Sequence, residues 1–133
     1  MKSYVLDACA LIAFFNDENG AEHVEEVLLG DGVCLMSIVN VYEVCYDAAK
    51  ISGTEQGLKM YEEIQQLPLK IIKVIGKDLL KEAIYFKVNY KVSVADSFAL
   101  GLAKENGAIM VSSDHHEFDI IENSKELEFS WIR

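Results

Sequence analysis

The sequence predicts an α/β fold on a mostly parallel sheet. Two observations carry that prediction. Short apolar runs alternate along the chain with stretches of helical periodicity. The runs are apolar at every position, not every second one, as expected when helices cover both faces of a sheet. Length adds a bound: 133 residues suit one domain and leave little room for two. There is no internal repeat, low-complexity tract or linker, so one domain is expected to span residues 1–133.

Each element has a local reason. Residues 3–7 read as a buried strand that stops at the carboxylate of Asp7. Ala8–Phe15 and Ala21–Leu29 read as helices, separated by the turn-forming run Asn16-Asp17-Glu18-Asn19-Gly20. Gly30-Asp31-Gly32 turns the chain into a second strand, 33–36. From 37 to 51 the pattern is helical, with Val41, Val44, Cys45 and Ala48 at i, i+3, i+4 and i+7. A helix over 54–66 stops ahead of Pro68. The β-branched stretch 70–75 is a third strand. Helices over 77–89 and 94–105 follow, the latter ended by Gly107, and 108–111 is a fourth strand. A short helix after Asp114 and a last strand over 128–132 complete the prediction.

Composition narrows the function classes. Twelve Lys and Arg against twenty-two Asp and Glu leave a net charge of −10, yet 51% of residues are apolar, too many for a disordered acidic tail. One Pro and eight Gly exclude a collagen-like or loop-dominated scaffold. The one arginine is Arg133, so a broad basic surface for nucleic acid is disfavoured. Cys9, Cys34 and Cys45 are odd in number and form no Cys-x-x-Cys pair, which fits reduced cytosolic thiols better than a disulfide framework. Ala8-Cys9-Ala10 has the small-x-small look of a signal cleavage site, but only Tyr4, Val5 and Leu6 precede it as an apolar region. No run approaches a membrane span, so a soluble, cytoplasmic protein is expected.

In a parallel sheet, sites form beyond the carboxyl ends of the strands. Four carboxylates are expected at that end: Asp7 after the first strand, Glu43 in the helix after the second, Asp96 in the first turn of the helix from 94, and Asp114 after the fourth strand. Each has a bland explanation alone. Asp7 caps the helix that follows it. Glu43 shares with Asn40 and Asp47 a stripe opposite the apolar face, which suits mere solvation. Ser93-Val94-Ala95-Asp96 has capping-box spacing. Asp114 is a polar loop residue. None of these explains why all four gather at one edge. Clustered carboxylates repel and raise one another's pKa, and an oxygen-only set suits Mg²⁺ or Mn²⁺. His115 and His116 lack a third ligand at suitable spacing, and there is no Gly-rich phosphate loop or Gly-x-Ser-x-Gly elbow.

Four segments carry a family resemblance: Val5-Leu6-Asp7-Ala8-Cys9-Ala10-Leu11, Ser37-Ile38-Val39-Asn40-Val41-Tyr42-Glu43-Val44, Val94-Ala95-Asp96-Ser97-Phe98-Ala99-Leu100-Gly101-Leu102-Ala103, and Ile109-Met110-Val111-Ser112-Ser113-Asp114-His115-His116-Glu117-Phe118. In order and spacing the chain resembles PIN-domain proteins of the toxin type found in toxin–antitoxin pairs, the VapC-like ribonucleases. The resemblance implies a three-layer α/β/α sandwich around a parallel sheet of four or five strands. It implies that Asp7, Glu43, Asp96 and Asp114 are catalytic residues and metal ligands for Mg²⁺ or Mn²⁺. It implies RNA cleavage leaving 5′-phosphate and 3′-hydroxyl ends, a small antitoxin partner and homodimerisation, to which the apolar segment Ala10–Phe15 is expected to contribute. The family often has Ser or Thr after the first Asp; here it is Ala8. Glu117 and Asp119 stand where some members carry a further acid. Three other readings share the fold: an inactive interaction module, a housekeeping nuclease, and a DNA-directed nuclease. The last are usually longer. Lys70, Lys73, Lys77, Lys81, Lys87 and Lys91, between Glu43 and Asp96, are candidate phosphate contacts.

Overall fold

A computed structural model describes all 133 residues. The strands are β1 (Ser3–Leu6), β2 (Val33–Ser37), β3 (Lys70–Ile72), β4 (Ile109–Ser112) and β5 (Phe129–Trp131). They form one fully parallel sheet in the order β3-β2-β1-β4-β5. The helices are α1 (Ala8–Phe15), α2 (Ala21–Leu29), α3 (Ile38–Ser52), α4 (Thr54–Gln65), α5 (Lys77–Tyr90), α6 (Val94–Asn106) and α7 (His115–Ser124). The three-layer α/β/α expectation holds.

Two cores explain why the strands read as apolar throughout. Successive side chains on a strand point to opposite faces. Leu6, Cys34, Met36 and Val111 pack with α1, α2, α3 and α4. Their neighbours Val5, Leu35 and Met110 pack with α5, α6 and α7. The buried positions of the central strands therefore meet a helix layer on one face or the other.

Two expectations change. The third strand is three residues long, not six. It is an edge strand whose only partner, β2, offers Leu35, Met36 and Ser37 opposite Lys70, Ile71 and Ile72 and then ends, so Val74 and Ile75 leave the ladder exposed. The segment Ala10–Phe15 is also only partly a surface. Ala10, Leu11 and Ala13 are fully buried, whereas Ile12, Phe14 and Phe15 pack against the same core and stay partly exposed.

The tightest helix pair is α5 and α6. An added Cβ at Gly101 would stand 2.7 Å from the Ala83 backbone nitrogen and 3.0 Å from its Cα. Only glycine allows this approach. Gly101→Ala gains about 1 kcal/mol of helix propensity but overpacks a backbone contact at a cost of about 1–3 kcal/mol. Urea denaturation is expected to show a net loss of stability; equal or greater stability would mean that the pair separates without strain.

Candidate functional site

The sheet delivers Asp7 first. β1 ends at Leu6, and Asp7 turns the chain into α1 as its N-cap, Oδ1 accepting from the Ala10 N–H at 2.9 Å. Oδ2 accepts from the Ser112 hydroxyl at 2.5 Å. The Ser112 oxygen in turn accepts from the Asp114 N–H at 3.0 Å. One hydroxyl at the end of β4 thus joins two carboxylate-bearing turns. Asp7 is 2% exposed, and burial pushes its carboxyl from 3.8 up to about 7. The Ser112 and Ala10 hydrogen bonds oppose that rise, and the charges of Asp96 and Asp114 add to it.

Asp114 is the N-cap of α7 and accepts from the Glu117 N–H at 3.2 Å. Asp96 lies in the first turn of α6, where its N–H donates to the Ser93 hydroxyl at 3.1 Å. Burial first, then the charges of Asp114 and Glu43, push the Asp96 carboxyl up to about 6. Glu43 projects from α3, half-buried, and accepts from the Asn40 amide at 3.2 Å. Burial raises its pKa against that hydrogen bond. All four sequence-predicted carboxylates therefore share one neighbourhood. Cys9 reports the same: partial burial of its thiol, then the charges of Asp7, Asp114, Asp96 and Glu43, push it up to about 12.

The polar stripe of α3 departs from its expected solvated role. Asn40 is fully buried, and its amide also donates to the Ala95 carbonyl at 3.1 Å. The Asn40 end of the stripe faces the start of α6, whereas Asp47 pairs with the exposed Lys50. Asn40 is the residue around the site that the sequence left without a role there, whereas the resemblance offered Ser112 and Ser113 as hydroxyls near the last Asp, and Ser112 is the one that reaches Asp7.

The histidines turn elsewhere. His115 Nδ1 meets Asp119 Oδ1 at 2.8 Å, and Nε2 meets the Arg133 carbonyl at 2.9 Å. Both partners are acceptors, which favours the protonated ring, and Asp119 chiefly raises its pKa. It stacks on Trp131 with ring centroids 3.8 Å apart. Asp119 thus serves His115, whereas the backbone of Glu117 holds Asp114 and its charge adds to the field on Asp96. His23 pairs with the Ser130 hydroxyl at 2.8 Å.

Ion pairs form at Asp47, Asp119, Glu117 and Glu18, and none involves the four clustered carboxylates. No three His, Cys, Asp or Glu side chains converge on a single point, so the acids form an open rim coupled through its field. The donor set still fits a hard divalent cation. It is oxygen-only, its charges mutually raise pKa values, and no protein cation neutralises them.

A PIN-domain family model matches residues 4–123. The chain belongs to the PIN-domain family. A search of curated protein sequences returns no match. Among solved structures, the chain is similar to DNA-bound VapBC from Salmonella typhimurium, at 16% identity and TM-score 0.76 over 100% of both chains. VapBC2 from Rickettsia felis, bound to a promoter DNA fragment, matches at 16% identity and TM-score 0.75, over 97% of this chain and 98% of that one. VapC20 from Mycobacterium tuberculosis, a toxin that cleaves the sarcin–ricin loop, matches at 12% identity and TM-score 0.63, over 80% and 86%. At such identities the likeness establishes the fold. This PIN domain shares its fold with those VapBC structures.

Because burial raises Asp7, the folded, metal-free PIN domain holds that proton more tightly than the unfolded chain. The stability this represents is present below the unfolded pKa of 3.8 and is lost as pH rises through about 7. Asp7→Asn removes the charge. In EDTA it is expected to melt above wild type at about pH 8, with the gap narrowing below about pH 7 and closing near pH 4. A gap independent of pH would show that the buried charge is not its cause.

Proposed function

We propose that this PIN domain is a Mg²⁺- or Mn²⁺-dependent endoribonuclease and the toxin of a toxin–antitoxin pair. One observation carries the reading: carboxylates from four separate elements share one sheet edge with no protein cation among them. Asp7, Glu43, Asp96 and Asp114 would hold the ion. When bound, Mg²⁺ or Mn²⁺ supplies Lewis-acid activation of water and of the phosphodiester. The chain's own part is to position oxygen donors. Ser112 and the Ala10 N–H fix both oxygens of Asp7. The first turn of α7 fixes Asp114.

The context supports the reading. No helix is long and apolar enough to cross a membrane, and all three cysteines are free, which suits a reducing cytoplasm. The solved relatives are toxin–antitoxin complexes. An acidic rim would accept an Arg or Lys from an antitoxin as a charge-assisted contact. With net charge −10, RNA engagement falls to the ion and to local lysines, which makes substrate binding weak and salt-sensitive.

The expected outcome is Mn²⁺-dependent cleavage of RNA in preference to DNA, abolished by EDTA. Asp96→Asn lowers the rate by about 100-fold or more, the scale of losing a major electrostatic contributor. Full activity of that variant, or equal cutting of DNA, sinks the assignment. Expression of wild type, but not of Asp96→Asn, is expected to arrest bacterial growth.

Self-association belongs to the same reading. An exposed apolar stripe on α5 is Leu80, Ile84 and Val88, which are 47%, 54% and 70% exposed. They recur every four residues and so share one face. Light scattering is expected to give a dimer that Ile84→Glu converts to a monomer; a wild-type monomer at micromolar concentration removes this part of the reading.

A further inference from the structure

We infer that Asn40 is a positioning residue that locks Glu43 to the first turn of α6 and so sets the spacing between Glu43 and Asp96. The inference rests on the metal-site reading above and adds a residue that the acidic set does not include.

The geometry points one way. Asn40 is fully buried in the first turn of α3. Its Nδ2 makes two donations, to Glu43 Oε1 at 3.2 Å and to the Ala95 carbonyl at 3.1 Å. Ala95 directly precedes Asp96, so one amide spans the two carboxylate-bearing helices. Rotating it by half a turn would set its oxygen against a carboxylate and a carbonyl, both acceptors, so the partners fix its orientation. The Oδ1 atom is buried with no partner at all. A buried acceptor left unsatisfied is a cost that an apolar residue of similar volume would avoid. A residue there only to fill space would not be an amide. The two donors are what the position uses.

The chemistry of the alternatives agrees. Aspartate would add a negative charge beside Glu43 and has no donor for the Ala95 carbonyl when ionised. Leucine fills the volume but leaves Glu43 free to rotate. Serine offers one donor, so it can hold one partner or the other. Residues that orient a metal ligand through a hydrogen bond set metal affinity by about 10–100-fold.

The test is Mn²⁺ binding to the full chain, followed by electron paramagnetic resonance, alongside melting temperature and RNA cleavage against Mn²⁺ concentration. Asn40→Leu is expected to bind Mn²⁺ about tenfold more weakly or worse, with a melting temperature at or above wild type because the orphaned acceptor is gone. Excess Mn²⁺ is expected to recover part of the cleavage rate. Asn40→Ser, a second variant should the leucine one misfold, is expected to fall between the two. In a Glu43→Gln background, Asn40→Leu is expected to cause no further loss of affinity, since the amide acts through Glu43. Wild-type Mn²⁺ affinity in both Asn40 variants overturns the inference, as does a loss that tracks a matching fall in melting temperature. Absence of Mn²⁺ binding by the wild-type protein overturns the metal reading itself, and that outcome is visible with Asn40 intact.

Discussion

The organising constraint of this molecule is the field of four carboxylates held at one sheet edge without a protein cation among them. Asp7 bears most of it, because it is almost entirely withdrawn from water. A charge so placed is costly unless hydrogen bonds, dipoles or a counter-ion answer it. The protein supplies the first two. Asp7 has a hydroxyl and a backbone N–H, Asp114 a backbone N–H, and Glu43 an amide.

Parallel topology accounts for how this field assembles. Each strand ends at the same edge, and α1, α3 and α7 begin there directly after β1, β2 and β4. Helix N-termini favour negative charge through free N–H groups and the aligned peptide dipoles. Asp7 and Asp114 are N-caps, and Asp96 is in the first turn of α6. The capping explanation and the site explanation, rivals when each residue is considered alone, are therefore one arrangement. A carboxylate that caps a helix at this edge is already oriented toward its neighbours from other strands. The Ser112 hydroxyl extends the logic, since it donates to Asp7 and accepts from the Asp114 backbone and so ties two caps together.

The second consequence concerns rigidity. Asp7 and Asp114 are coupled through β4, whereas Glu43 and the turn bearing Asp96 are coupled through Asn40. These links join elements far apart in the chain, so the spacing of the acids depends on the packing of α3 against α6 and of β1 against β4. His23 and His115 take no share in this network. Their partners include the last strand and the chain's final residue.

The sequence by itself determined the elements, the parallel sheet and the four carboxylates. All of these rest on local signals: apolar periodicity, turn residues, caps and the position of an acid relative to the strand before it. It misjudged the length of the third strand, because pairing runs out where β2 ends, and a ladder partner is not a local property. It offered Ala10–Phe15 as a surface, because an apolar run looks the same whether a core or a second molecule covers it. It placed the stripe of Asn40, Glu43 and Asp47 toward solvent, because helical periodicity says which residues share a face but not what that face meets. Only the tertiary structure decided that Asn40 on this face meets α6, that it is buried with one acceptor unmet, and that Ser112 reaches Asp7 across 105 residues of sequence. The reason is physical: hydrogen bonds and electric fields act over ångströms of space, and the chain order records which residues are neighbours only until it folds.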